Sequence, residues 1–469
     1  MRRPLGSRTA AIIASAIVLS AAGVLCPVAA QQAAKPQSAE TGYLFSVADV
    51  GVPLSDSLGD QGIYLRGGYV GDLLGNVSGG FKTGSLYSNE VKYGFDLDME
   101  RLASIPGASV HFLIDSRYGP NNFAEFTGSS VLTPDNAGPI TTTRLTELSW
   151  DQNLFDDRLL LHAGRISAGW DFAQSFDYCQ FVSAICANLW PWGWSANSNG
   201  NWWPLGTWGA RATIKPTPQT YIRAGVYAVA SNAYLKPGWP GDGWNWNSLT
   251  GAFLPVQIGY ETDFDTDSHP RAYALGWFWD NSPYNDALYN TNNQPLPLAG
   301  GMPLRHRGRS SIYAQAQQMV WRVDDDTQRG LTLYAGALFN IAGIGEAKEY
   351  FLAAGIFKGP FAARPNDKLG LAATIVHFDP RFTGAINDQI IANENSGTVS
   401  STEVTLELNY GMTLAPGVVF KPLVQYIANP DQVGASAPNS HVTHAWVTGF
   451  QFSTNFNDAF GLKPIARKN

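Results

Sequence analysis

The sequence carries little charge for its length. Charged residues make up only 15% of its 469 residues, against roughly 25% in a typical soluble chain. Hydrophobic residues make up 45%, so the chain can form a core but has little charge with which to cover a water-facing surface. Its formal net charge of −7 argues against nucleic-acid binding, which requires a basic face.

Several chemical motifs are also missing from the sequence. There is no GxxxxGK[ST] loop for a nucleotide and no GxSxG nucleophile elbow. The 7 histidines show no HExxH pattern or other metal-ligand spacing. The sequence therefore predicts neither a cofactor nor a metal site.

The first 30 residues have the three-part pattern of a secretory signal peptide. Three arginines precede an apolar run at residues 10–24, and small residues follow at 28–30. A membrane anchor is the alternative interpretation, but the run is shorter than the ~20 apolar residues of a spanning helix. We therefore expect residues 1–30 to be removed during export.

Two cysteines, Cys179 and Cys186, remain beyond the signal peptide. In an exported protein, a close pair favours a disulfide that closes a small loop, with two free thiols as the alternative. Their spacing, with no histidine nearby, does not fit a zinc site.

Short segments of alternating polarity recur along the rest of the chain. Residues 91–99 read VKYGFDLDM, with apolar residues at odd positions and Lys, Gly, Asp and Asp at even positions. A period of two predicts a β-strand with one apolar and one polar face. Residues 221–228 and 403–410 repeat the pattern. No charged or Ser/Gly-rich linker divides the chain, which indicates one large β domain.

The two faces of these strands indicate a membrane barrel. The apolar faces are rich in Tyr, Phe, Trp and Leu, whereas the polar faces carry isolated charges. A sheet in hydrocarbon must close on itself because lipid offers its edges no hydrogen-bond partners. The sequence thus predicts an all-β fold, a transmembrane antiparallel β-barrel of about 16 strands with a water-filled lumen and long extracellular loops.

We expect four segments along the chain. Residues 1–30 form the signal peptide, 31–61 a periplasmic or plug-like segment, 62–456 the outer-membrane barrel, and 457–469 a C-terminal tail. Such barrels commonly end on an aromatic residue that the barrel-assembly machinery reads. Here the last strand is expected to end at Phe456, and the chain continues beyond it.

Eight segments follow one another in a characteristic order. They are YGFDLDMERL (93–102), IPGASVHF (105–112), RLTELSW (144–150), LLLHAGRISAGWD (159–171), TWGAR (207–211), AGVY (224–227), EVTLELNY (403–410) and KPLVQYIANP (421–430). Together they resemble the carbohydrate-selective porin family, often called the OprB family. The resemblance implies passive diffusion of mono- or small oligosaccharides through a Gram-negative outer membrane, with lipid, sugars and assembly machinery as partners. It leaves a monomer and a homotrimer both open.

Tryptophan supplies the aromatic candidates for a sugar site. Nine of the 15 tryptophans lie in two clusters within Gly/Asn/Pro-rich stretches. An indole ring matches the apolar face of a sugar, and polar side chains match its hydroxyl rim. A role at the membrane interface or in loop packing is the alternative. The first cluster, which we predict to line a constriction, consists of Trp190, Trp192, Trp194, Trp202, Trp203 and Trp208; the second consists of Trp239, Trp244 and Trp246.

Charged residues on the inward strand faces are the polar candidates. Opposed arginines and carboxylates can bind sugar hydroxyls without favouring ions of one sign, although such charges can also simply brace the barrel wall. The predicted residues are Lys92, Asp96, Asp98, Arg165, Asp171, Arg211, Arg223, Glu403 and Glu407.

Three other functions are compatible with the sequence. One is a general porin without sugar preference, and another is a secreted polysaccharide-binding β-protein that uses its tryptophans as a platform. The third is an outer-membrane barrel enzyme, for which His162 and His377 are the central candidate bases.

Overall fold

The computed structural model describes residues 43–44, 51–120, 123–131, 142–174, 180–183, 192–230, 249–325 and 327–465. Within these ranges, sixteen antiparallel strands form a closed barrel, in which each strand pairs with its neighbours in sequence and the first pairs with the last. The strands are β1 (Ile63–Gly79), β2 (Gly84–Asp98), β3 (Ala108–Tyr118), β4 (Thr142–Leu154), β5 (Leu159–Ile166), β6 (Thr207–Ile214), β7 (Thr220–Val229), β8 (Gly251–Glu261), β9 (Arg271–Asn290), β10 (Pro303–Arg322), β11 (Gly330–Ala342), β12 (Ala347–Lys358), β13 (Lys368–Phe378), β14 (Thr402–Ala415), β15 (Val418–Ala428) and β16 (His444–Asn455).

The predicted fold class, an antiparallel barrel of about 16 strands, is confirmed. Closure joins β1 to β16 with Tyr69 opposite Thr454, while the other edge of β1 places Val70 opposite Glu90 of β2. No helix among the described residues is long and apolar enough to cross a membrane. The helices of these ranges are α1 (Val52–Asp60), α2 (Met99–Ala103), α3 (Ala124–Thr127), α4 (Ala168–Asp171), α5 (Trp192–Asn197), α6 (Leu296–Ala299), α7 (Pro380–Ala392) and α8 (Phe456–Phe460).

The two ends of the barrel differ in the length of their connections. At one end, which we call the turn end, strands are joined by short segments such as residues 155–158 and 416–417. The described start and end of the chain meet there, because Gly51 N donates to Phe460 O at 2.9 Å. The opposite end, the loop end, carries long connections such as residues 167–206. In outer-membrane barrels, short turns face the periplasm and long loops face outward.

The outer face of the barrel is apolar and is bordered by aromatic rings. Leu275, Ile258 and Leu371 expose about half of their surface around its middle. Exposed aromatic residues flank this band, as expected at the two interfaces of a membrane. They include Trp150, Tyr260, Tyr273 and Trp321 towards the turn end, and Trp279 and Trp446 towards the loop end.

Glycines on the inner face make room for tyrosine rings of neighbouring strands. Tyr313 of β10 is buried, and its ring lies over Gly276 of β9. A Cβ atom added at Gly276 would lie 2.1 Å from Cζ of this ring. At Gly355 of β12, by contrast, an added Cβ would meet nothing closer than 3.5 Å.

We expect Gly276→Ala to lower the free energy of unfolding by about 1–3 kcal/mol, because the ring must move from a packed position. Urea-induced unfolding of the micelle-embedded protein measures this change. Gly355→Ala is the matched control and should change the free energy of unfolding much less. Equal stabilities of the two variants would contradict the packing shown at Gly276.

Candidate functional site

The described parts of the connection between β5 and β6, residues 167–174, 180–183 and 192–206, lie inside the barrel lumen. On the far wall, the backbone N–H groups of Val182 and Ser183 donate to the Glu407 carboxylate of β14 at 2.9 and 2.7 Å. Gln425 of β15 donates to the same carboxylate at 3.0 Å. The connection therefore crosses the lumen from β5 to β14 and narrows it.

Helix α5 anchors this connection through an aromatic core inside the barrel. Trp194 is fully buried, with its ring centroid 4.3 Å from that of Phe253 and 5.4 Å from that of Phe278. Trp192 is buried as well, and its ring packs 5.9 Å from that of Tyr350. These two predicted constriction residues therefore pack the loop, and neither ring presents a surface to a passing solute.

The connection between β3 and β4 also reaches inward, through two adjacent serines. Ser129 Oγ donates to Glu403 Oε1 at 2.8 Å, and Ser130 Oγ donates to Glu346 Oε1 at 2.9 Å. Asp431 joins the cluster, because its N–H donates to Glu403 and its carboxylate accepts from Ser130 N. Burial, reinforced by the charge of Asp431, raises the pKa of Glu346 to about 8. Glu346 therefore keeps its proton at neutral pH, which reduces charge repulsion in the cluster.

Two other tryptophans face the lumen beside β2. The rings of Trp170 and Trp203 meet edge to face with centroids 4.6 Å apart, and both residues are half-buried. Lys92 Nζ lies 4.4 Å from the Trp203 centroid and 5.5 Å from the Trp170 centroid. Trp203 Nε1 donates to Glu90 Oε1 at 3.0 Å. Charged groups thus fix the two rings while part of each aromatic surface stays accessible.

Glu90 is the centre of the polar half of this site. Arg117 of β3 donates to Glu90 Oε2 through Nε and Nη2, both at 2.5 Å. Lys92 Nζ lies 3.0 Å from Glu90 Oε1. Charge-assisted contacts of this kind hold side chains in defined positions. We call the group of Glu90, Lys92, Arg117, Trp170 and Trp203 the tryptophan site.

A second set of charged side chains lines the wall closer to the turn end. Acidic and basic groups alternate along it, each within 3.6 Å of the next. The Arg66 and Arg211 side chains are only 21% and 15% exposed, so their ion pairs are largely shielded from water, and removing one partner would leave an uncompensated charge in the wall. The set, which we call the charged ladder, runs through Arg66, Asp96, His111, Asp151, His162, Asp171 and Arg211.

Asp171 connects the inward loop to the charged ladder. Burial opposes its ionisation, but the charges of Arg211 and His162 outweigh burial and lower the pKa of Asp171 to about 2. Tyr227 OH donates to Asp171 Oδ2 at 2.7 Å, and Arg223 donates to the Asp171 backbone carbonyl. Asp171 is therefore ionised at neutral pH and holds the loop against β5, β6 and β7.

The structure brings together six of the predicted site residues. Lys92 belongs to the tryptophan site, Asp96, Asp171 and Arg211 belong to the charged ladder, and Arg223 contacts the backbone of Asp171. Trp203, the sixth, faces Lys92. All of them lie on one side of the lumen, between β2 and β7.

Other predicted residues lie elsewhere. Asp98 caps α2 at the turn end by accepting from Glu100 N and Arg101 N, because β2 ends there. Trp208 has the same strand parity in β6 as the exposed Ala210 and Ile214, which places it on the outer face and not in the constriction.

Four further candidates are engaged with protein groups. Arg165 is buried and donates through Nε to Leu145 O at 2.8 Å, and Trp202 is buried within the loop. Glu403 and Glu407 accept hydrogen bonds from the inward loops. The two glutamates therefore anchor these loops, a role that differs from the predicted contact with substrate.

Several predictions fall outside the described residues. They concern the signal peptide, the disulfide between Cys179 and Cys186, Trp190, and the second tryptophan cluster at Trp239, Trp244 and Trp246.

Sequence reasoning missed three of the five residues of the tryptophan site and most of the charged ladder. Glu90 has the same strand parity as Lys92 in β2, which is a signal that could have identified it. Trp170 precedes the predicted Asp171, but it lies outside the two tryptophan clusters. Only the register between strands shows that Arg117 of β3 lies opposite Glu90 of β2 and that His111 of the ladder lies opposite Asp96.

Comparisons with known proteins agree with this architecture. The profile of a family described as "Carbohydrate-selective porin, OprB family" matches residues 82–456. Porin B of Pseudomonas aeruginosa is 27% identical over 431 residues, covering 85% of this chain and 88% of that protein.

Two solved structures of Pseudomonas putida OprB share the fold. The high-pH structure superposes with a TM-score of 0.74 at 24% sequence identity, covering 86% of this chain and 96% of that chain. The low-pH structure has a TM-score of 0.53 at 20% identity, covering 90% and 100% of the two chains.

Proposed function

Because the chain belongs to the carbohydrate-selective porin, OprB family, and is a sugar-selective outer-membrane porin, we propose that its sugars pass between the tryptophan site and the charged ladder. The proposal rests mainly on the half-buried pair of Trp170 and Trp203, which keeps aromatic surface accessible within a polar, narrowed lumen. Family membership indicates a channel rather than the barrel enzyme or secreted binding protein considered from the sequence.

The two rings suit one part of a sugar. A pyranose has an apolar C–H face that packs on an indole ring, and burial of that face from water is favourable. The edge-to-face arrangement of Trp170 and Trp203 offers two differently oriented surfaces 4.6 Å apart. Sugars that differ in the orientation of a hydroxyl can therefore still place one apolar face on a ring.

The charged groups suit the hydroxyl rim. A hydroxyl both donates and accepts hydrogen bonds, so it can bind a carboxylate and a guanidinium side by side. Asp96 next to Arg66, with side chains 11% and 21% exposed, presents such a pair on the wall. Because the pair is internally neutralised, it offers hydrogen bonds without attracting ions of a single sign.

The hydrogen bonds that a sugar can form with this wall are weak in net free energy, as transport requires. Arg66 and Asp96 are already bonded to protein groups, so a sugar exchanges one hydrogen bond for another and gains little net free energy. A permeating solute must be held briefly and then released, which a chain of weak sites allows.

The test is a planar-bilayer recording of the purified protein while glucose is added. We expect glucose to reduce ion current through an open channel in a saturable manner, because the sugar and the ions share the narrowed lumen. An open channel whose current is unaffected by glucose would contradict the sugar pathway and indicate a general porin.

We also propose the route by which the protein reaches its membrane. Export would remove residues 1–30, and the barrel-assembly machinery would close β1 on β16. In support of this, β1 pairs with β16 to close the barrel, and the aromatic residue Phe456 follows β16 directly. The mass of the detergent-solubilised assembly distinguishes a monomer from a homotrimer.

A further inference from the structure

Two arginines near the loop end of β10 take no part in the lumen. Arg305 and Arg307 are exposed, and neither forms a salt bridge within the described ranges. Arg307 donates only to two backbone carbonyls, those of Asn281 and Thr250. Arg309, two residues further along, instead contacts Asp280 in the interior.

The pairing of β10 with β9 places both side chains on the outer face of the barrel wall. The residue between them, His306, contacts the buried Asp286, which also binds Arg381 at the start of α7. Successive side chains of a strand point to opposite faces. A bulge at Gly308, where the register with β9 shifts between Arg307 and Arg309, reverses this parity, so that Arg307 and Arg309 face opposite sides of the wall. Arg305 and Arg307 therefore project from the outer side of the barrel wall, opposite α7.

Their height relative to the membrane follows from the aromatic residues below them. On the same outer face, Trp277 and Trp279 are 38% and 40% exposed, and Trp279 pairs with Ser310. The Trp279 indole nitrogen reaches the level of Gly308. Exposed tryptophans of a barrel mark the membrane interface. With about 3.3 Å per residue along a tilted strand, Arg307 lies roughly one headgroup layer above Trp279.

We propose that Arg305 and Arg307 bind the phosphate groups of the lipopolysaccharide that forms the outer leaflet around the barrel. A guanidinium group recognises phosphate through paired, charge-assisted hydrogen bonds. The neighbouring outer-face residues opposite these arginines, Asn285 and Pro283, carry no charge. The tryptophans beneath would then contact the acyl chains and sugar backbone of the same lipid.

The test is native mass spectrometry of the detergent-purified protein with diphosphoryl lipid A. We expect the double variant Arg305→Gln/Arg307→Gln to bind this lipid with an affinity at least about tenfold lower than that of wild type, because it loses charge-assisted contacts to phosphate. Lipid A from which both phosphates have been removed should bind wild type and variant alike. Arg158→Gln/Lys215→Gln, which changes two cations at the turn end, is the matched control and should bind like wild type.

Three results would overturn the proposal. They are unchanged diphosphoryl lipid A binding by the arginine variant, an equal loss in the turn-end control, and full displacement of the lipid by millimolar inorganic phosphate, which would indicate a simple anion site. Glucose block of the variant checks its folding independently. Because both arginines lie outside the lumen, block should match wild type, so failure of this inference is distinguishable from failure of the sugar pathway.

Discussion

The double variant Trp170→Ala/Trp203→Ala is expected to lose about tenfold or more of the affinity with which glucose blocks the channel. Both residues are half-buried and lie beside Lys92 of β2, and aromatic contacts contribute about 0.5–1.5 kcal/mol each beyond burial of area. Two such contacts together correspond to about a fivefold to 150-fold change in affinity. Titration of glucose against single-channel current measures the block.

The tryptophan variant needs controls for architecture and for chemistry. Trp150→Ala/Trp321→Ala removes two exposed rings from the outer face and should leave the glucose affinity unchanged. Trp170→Phe/Trp203→Phe keeps an aromatic surface at each position and should restore much of the affinity. If the alanine variant blocks like wild type, the two rings serve only to pack the inward loop.

The substitution Glu407→Gln is expected to release the inward loop from the far wall. Glu407 accepts the backbone N–H groups of Val182 and Ser183, both from the connection that crosses the lumen. Hydrogen bonds to a charged group contribute about 1.5–3 kcal/mol, so losing the charge shifts the loop equilibrium by about tenfold to hundredfold. We expect larger and noisier single-channel conductance together with weaker glucose block.

A glutamate on the outer face gives the matched comparison for this loop variant. Glu349 lies in β12 opposite Phe339, and Glu349→Gln should leave conductance and block unchanged. Heat-modifiability on gels establishes that both variants form closed barrels. A Glu407→Gln channel with wild-type conductance and block would show that the aromatic core around Trp194 holds the loop without this carboxylate.

These predictions separate two tasks that charged residues perform in the same lumen. Glu407 and Glu403 are buried and accept hydrogen bonds from inward loops, so they define where the narrowing lies. Arg66 and Asp96 remain partly exposed to the lumen, so they can exchange a protein contact for a sugar hydroxyl. Burial, rather than charge, distinguishes an anchoring residue from one that can meet the solute.

The sequence by itself determined the barrel and the parity of its strands. Alternation in segments such as residues 91–99 reports which side chains face water, because successive residues of a strand point to opposite faces. Alternation alone therefore places Lys92 and Asp96 on the lumen face. The same local rule predicted a closed sheet, since hydrocarbon leaves no edge unpaired. It also identified the ordered segments that resemble the sugar-porin family.

Only the tertiary structure decided which of these residues meet at one site. Trp203 reaches Glu90 although 113 positions separate them in the sequence, and Ser183 reaches Glu407 across 224 positions. Alternation is a property of neighbouring residues, whereas these contacts depend on the path of a long loop that has no period. For the same reason, Trp192 and Trp194 could not be recognised as packing residues: their surroundings come from β8, β9 and β12, on the far side of the lumen from β2.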